Sequence, residues 1–200
     1  MSRGIRSFVA VSISGEIRKL AGALMETLAG EVHGVRWVKP ENLHLTLKFL
    51  GDLSEGQLPD LKAALDAAAG RHRPFSLGFG GAGVFPPRGR PRVVWIDLAA
   101  GGGEMTALQA DVEAGLEPLG FPPGKRPFSP HLTIGRAREL SDPGALTVAL
   151  AAAGEMSWGE CVLDRVHLMR SDLFPTGPRY SILHEVRFAA KERSDREENT

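Results

Sequence analysis

Cysteine is almost absent. A single Cys161 in 200 residues leaves nothing for a disulfide framework and points to a reducing cytosol. Net charge is missing too: 24 lysines and arginines balance 24 aspartates and glutamates. The chain therefore lacks the general positive field that a non-specific nucleic-acid binder uses, and any such contact must be local. No apolar run approaches a membrane span, and no N-terminal stretch resembles a signal peptide, so the expectation is a cytoplasmic protein with no membrane contact. Aromatics are sparse at 6%, yet 42% of residues are apolar, enough for the core of an ordinary α/β protein.

Several chemical signatures are missing as well. There is no His-Glu-x-x-His and no cysteine pair, so neither a metal nor a cofactor is expected. Gly101-Gly102-Gly103 lacks the Lys-Ser/Thr that would complete a P-loop. The glycines at 78, 80, 81 and 83 imitate a dinucleotide fingerprint only loosely and lead into prolines rather than a helix. No serine nucleophile elbow is found.

What is present is a repeated strand. In Asn42-Leu43-His44-Leu45-Thr46-Leu47-Lys48-Phe49-Leu50-Gly51 the leucines alternate with polar residues, and the glycine is expected to close the run. Side chains two apart on a strand share a face, so His44 and Thr46 point together, away from the leucines. The unit recurs 87 positions later in Pro130-His131-Leu132-Thr133-Ile134-Gly135-Arg136.

The surrounding pattern also repeats. A strand over residues 6–13 precedes a helix over 15–29, whose apolar stripe is Ile17, Leu20, Leu24 and Leu28, with Ser14 as its cap. A short strand at 36–38 leads into the first His-x-Thr strand. A helix striped by Leu58, Leu61 and Leu65 and a strand at 75–79 follow. Residues 80–91 are expected to form an irregular joining loop. The pattern then restarts with a strand at 93–98, a helix striped by Met105, Leu108, Val112 and Leu116, and the second His-x-Thr strand. A helix near 143–153, one long strand over 161–170 and a last strand over 180–188 complete it. Phe8 precedes His44 by 36 positions and Val94 precedes His131 by 37. This cryptic duplication predicts two lobes related by a pseudo-dyad, with the two His-Thr pairs on opposite walls of one cleft. A single domain over residues 1–190 is expected, with a charged, disordered tail at 191–200.

Two imidazoles on opposite sides of a phosphorus can share acid and base work near neutral pH, because an unperturbed pKa of about 6.5 keeps both protonation states accessible. Thr46 and Thr133 supply neutral donors for the non-bridging oxygens. Arg136, five residues after His131, reaches that site only if Gly135 bends the strand. One such histidine is more often structural; two in matched positions are not easily so dismissed. His33, His72, His167 and His184 lack the pattern and read as structural or surface. Glu41, Asp52 and Asp97 flank strands, and one of them could orient a histidine. Arg88, Arg90 and Arg92 are candidate RNA contacts or simply a solvated loop. Trp95 and Phe49 are candidate base-stacking groups, but strand alternation favours the core for both; Tyr180 is equally ambiguous.

These motifs, together with Arg6-Ser7-Phe8-Val9-Ala10, Arg36-Trp37-Val38, Pro91-Arg92-Val93-Val94-Trp95, Arg170-Ser171 and Gly177-Pro178-Arg179-Tyr180, resemble the 2H phosphoesterase superfamily, and within it the RNA 2′,3′-cyclic phosphodiesterases, also called 2′-5′ RNA ligases. The resemblance implies a bilobal α/β fold of the α+β type, with two mainly antiparallel sheets around a central cleft and helices outside. It implies metal-independent hydrolysis of a terminal ribose 2′,3′-cyclic phosphate to a 2′-phosphate, with 2′-5′ ligation as the reverse reaction. His44 would be the general acid and His131 the base, with Thr46, Thr133 and Arg136 holding the phosphate. The expected partner is RNA with a cyclic phosphate end, and the expected state is a monomer. The alternatives are hydrolysis of small cyclic phosphates (a cyclic nucleotide or an ADP-ribose cyclic phosphate) and a non-catalytic RNA-end binding module.

Overall fold

The computed structural model describes residues 4–138, 143–154 and 157–190. The charged tail at 191–200 lies outside them. Nine strands and four α-helices alternate along the described chain in a mixed α/β fold.

Strand β1 (Ile5–Ser12) leads to helix α1 (Gly15–Glu31). Ser14 caps α1, its Oγ accepting from the Ile17 amide at 3.2 Å, and Ile17, Ala21, Leu24, Met25 and Leu28 face the core. Leu20, expected in that stripe, is exposed, because a 3.6-residue period places it off the face that the other apolar residues share. Short β2 (Val35–Trp37) and a 3-10 turn at Pro40–Asn42 precede β3 (His44–Leu53). β3 runs on past Gly51 instead of stopping there; that residue, at φ 75°, sits at a register shift against β1, so it makes a bulge rather than an end.

Helix α2 (Leu58–Ala69) is followed by β4 (Phe75–Phe85), β5 (Val93–Ala100) and α3 (Gly102–Leu116), whose expected stripe of Met105, Leu108, Val112 and Leu116 is fully buried. The joining loop expected at 80–91 is corrected: β4 continues through residue 85, and only residues 86–92 form the connection. Strand β6 (Leu132–Ala137), helix α4 (Pro143–Gly154), and strands β7 (Ser157–Leu163), β8 (Arg165–Phe174) and β9 (Gly177–Arg187) complete the chain. The single long strand expected over 161–170 is thus two strands. The chain changes sides at Asp164, since β7 pairs with β4 whereas β8 pairs with β1.

The strand pairings among the described residues are all antiparallel, and the strand order is β7-β4-β5-β6-β3-β1-β8-β9, with β2 beside β6. Two four-stranded halves therefore meet at β3 and β6, and one residue pair joins them, Leu45 with Leu132. Strand β2 fills the wedge where β3 and β6 diverge. The halves exchange strands: β4, from the first sequence repeat, lies wholly among strands of the second. Helix α1 packs on α4 and α2 on α3, which preserves the pseudo-dyad in the outer layer.

Candidate active site

The pseudo-dyad runs through the two motifs. Val11, Leu45, Leu132 and Ile96 form a row across four strands, each at most 1% exposed, on the apolar side of the sheet. On a strand the neighbours of such residues point the other way. The Leu45–Leu132 register therefore sets His44 against Thr133 and Thr46 against His131, all four on the opposite face and all half-buried. The histidines occupy a diagonal of this square. Diagonal positions in an antiparallel pair lie about 7–8 Å apart, a span that accommodates one phosphoryl group.

Each imidazole is fixed in the same way. Nδ1 of His44 lies 2.7 Å from the carbonyl oxygen of Asn42, and Nδ1 of His131 lies 2.7 Å from that of Ser129. A carbonyl only accepts, so Nδ1 carries the proton in both rings and Nε2 is left to exchange protons with a ligand. The orienting groups are thus backbone carbonyls and not Glu41, Asp52 or Asp97. Three of the other histidines are held differently, each by a carboxylate: His72 by Asp111 at 2.8 Å, His167 by Glu185 at 3.0 Å and His184 by Asp66 at 2.8 Å.

Aromatic walls flank both rings. Phe8 and Tyr180 lie 4.8 and 5.3 Å from His44, and Phe85 and Trp95 lie 5.1 and 6.4 Å from His131. Trp95, expected in the core, is the cross-strand partner of Thr133 and shares its face. Phe49 is also corrected: it is 70% exposed, 6.2 Å from Phe8 at the cleft edge. Phe8 could not be assigned to the cleft from its pattern, because β1 is buried on both faces over most of its length. Burial holds the His44 imidazole below its ordinary pKa, reinforced by the Arg136 charge and opposed by the Asn42 hydrogen bond. Burial likewise pushes the Tyr180 phenol up, against the opposing charges of Arg136 and Arg6.

Those couplings place Arg136 near His44 and Tyr180. The route is the bend that the sequence required. Consecutive Val94 and Trp95 pair with Gly135 and Thr133, so Ile134 is an extra residue that reverses the alternation and turns Arg136 to the Thr133 side. A Cβ at Gly135 would lie 2.7 Å from Val35 Cγ1 and 3.0 Å from the Trp37 ring, so only glycine lets β2 approach here. Arg36 is the direct partner of Arg136, two like charges set side by side, an arrangement that an anion between them relieves.

Arg88, Arg90 and Arg92 sit on the β4–β5 connection, which follows Phe85, the ring beside His131. Arg90 donates to the Arg138 carbonyl at 2.8 Å, and the Arg92 carbonyl accepts from the Ala137 amide. A groove of about 740 Å³ opens beside His44, between the 3-10 turn and the β8–β9 hairpin. Sequence reading did not find it, because its lining comes from segments more than 100 residues apart.

A family model described as the 2′-5′ RNA ligase superfamily matches residues 9–173. The chain belongs to that superfamily. Among curated 2′-5′ RNA ligase relatives, the RNA 2′,3′-cyclic phosphodiesterase of Archaeoglobus fulgidus is 38% identical over 179 residues, covering 90% of this chain and 98% of its own. The protein of the same name from Thermus thermophilus is 35% identical, over 90% of this chain and 89% of its own. Among solved structures, TT0787 of Thermus thermophilus superposes with a TM-score of 0.80 at 30% identity, covering 93% of this chain and 99% of that one. E. coli LigT complexed with 3′-AMP gives 0.70 at 25% identity, over 92% and 98%. The mixed α/β architecture is that of LigT-like 2H phosphoesterases.

Proposed function

We propose that this protein hydrolyses the 2′,3′-cyclic phosphate at an RNA terminus, without a metal, by paired general acid and base catalysis. The observation that carries the reading is the pair of imidazoles related by the Leu45–Leu132 register, both with Nδ1 committed to a carbonyl and Nε2 free toward the same face. The relatives' shared name, RNA 2′,3′-cyclic phosphodiesterase, supports the substrate class.

In this mechanism Nε2 of His131 takes a proton from water as the water attacks phosphorus. Nε2 of His44 delivers a proton to the departing 3′ oxygen, leaving a 2′-phosphate. Thr46 and Thr133 donate to the non-bridging oxygens, and Arg136 balances the charge that grows there. The lowered pKa of His44 comes chiefly from burial of the ring. A bound phosphate places negative charge beside the ring and restores the protonated form that an acid must have. With a 5′-hydroxyl in place of water as the attacking group, the same proton transfers open the ring into a 2′-5′ linkage.

Incubation with RNA ending in a 2′,3′-cyclic phosphate is expected to give a 2′-monophosphate at full rate in EDTA. His44→Ala and His131→Ala should each lose about 10²–10⁴-fold in turnover while keeping the wild-type circular dichroism spectrum. Wild-type activity in either variant defeats the mechanism, and loss of activity on chelation points to a metal enzyme.

A further inference from the structure

The groove beside His44 is larger than one phosphorus centre needs, and its lining is not that of a nucleoside pocket alone. Arg18 from α1, Lys39 just before the 3-10 turn and Arg179 from β9 line it together with a single carboxylate, Glu41. Among the described residues none of these three cations is in an ion pair, and the buried Nε of Arg18 has no hydrogen-bond partner. The lining also includes Phe174 and Ile182, 51% and 54% exposed although both are apolar. The Arg179 guanidinium stands 5.9 Å from the centre of the Phe174 ring, which makes a flat cationic platform. Asn42 Nδ2 donates to the Pro178 carbonyl at 3.0 Å, tying one groove wall to the other. The carbonyl of the same residue holds His44.

We propose that this groove binds the RNA strand on the 5′ side of the cyclic phosphate, with Phe174 stacking a base and Arg18, Lys39 and Arg179 meeting upstream phosphates. This rests on the cyclic phosphodiesterase reading. In such a substrate both the 2′ and 3′ oxygens of the last ribose are tied into the ring, so the chain leaves only through the 5′ oxygen. It must follow a surface that begins at the reacting phosphorus and offers cations and a stacking face in alternation. That combination is how proteins hold single strands without reading sequence. A cyclic mononucleotide has no second phosphate or second base to engage it. The groove therefore favours the end of an oligonucleotide over a cyclic mononucleotide.

The test compares kcat/KM for an oligoribonucleotide ending in a 2′,3′-cyclic phosphate with that for the cyclic mononucleotide. The proteins are wild type, the double variant Arg18→Ala/Arg179→Ala, and Phe174→Ala. Wild type should favour the oligonucleotide by at least about tenfold. Each variant should lose most of that preference, with a much smaller loss on the mononucleotide. In the double variant the slope of log(kcat/KM) against log[salt] for the oligonucleotide should flatten by about 1.4, at about 0.7 per phosphate contact on a single strand. Equal wild-type rates on the two substrates, or variants that slow both equally, overturn the proposal. If neither substrate turns over, the catalytic reading fails and binding of a 3′-phosphorylated oligonucleotide decides the groove. Tighter binding by wild type than by the double variant supports it, and equal binding overturns it.

Discussion

An imidazole with one nitrogen committed to a carbonyl has a single nitrogen for chemistry, and its pH response can be followed through that nitrogen alone. Burial holds His44 below its ordinary pKa because it penalises the cation. In the proposed role of acid it must be protonated. Activity of the free enzyme, read by kcat/KM, therefore falls as pH rises through that lowered value. In the complex the substrate's charge opposes the penalty, so the alkaline limb of kcat should lie at higher pH than that of kcat/KM. Superimposed limbs would remove His44 from the acid role. The histidines and threonines were legible in the sequence because a two-residue period fixes which side chains share a face. Arg136 was legible only conditionally: the alternation put it on the wrong face, and the extra residue at Ile134 reverses that. The carbonyl locks were not legible, since backbone acceptors leave no trace in residue identity.

At the scale of elements, the glycines at 80, 81 and 83 suggested a loop, yet they lie within β4. Gly83 is there to admit a ring, not to turn the chain: a Cβ on it would sit 2.6 Å from Trp95 Cζ2. A glycine that makes room and a glycine that bends look alike in a sequence. The buried ion pair between β3 and α3 was invisible for a similar reason. Lys48 Nζ lies 3.0 Å from Glu113 Oε1 and donates to the Pro122 carbonyl at 2.8 Å. Glu113 Oε2 accepts from the Gly124 amide at 3.1 Å. The first motif strand is thereby fastened to the segment that leads into His131. Lys48→Ala leaves a buried carboxylate unpaired, which costs about 3–5 kcal/mol. A urea titration should show that loss in the unfolding midpoint, and a change below about 1 kcal/mol would mean that the pair is solvated.

For the whole molecule, the duplication was readable from near-equal spacings, but strand order was not, because local patterns do not say which edges pair. The exchange of β4 into the second half has a direct consequence for folding. Residues 1–88 alone would leave β4 without β5 and β7, and β1 without β8. Residues 89–200 alone would leave β8 without β1 and β6 without β3. Neither piece should give cooperative unfolding or dispersed amide spectra by itself, whereas the two produced together should rebuild a folded complex. A folded half on its own would contradict the exchange.

Strands β3 and β6 pair at a single position, Leu45 with Leu132, whose side chains lie on the face of the sheet opposite to the imidazoles. The aperture between the imidazoles is therefore governed by aliphatic packing beneath them. The row through Leu45 and Leu132 acts as a keystone, and trimming or thickening it should shift the spacing of the imidazoles from behind, with every polar group of the cleft left in its own strand.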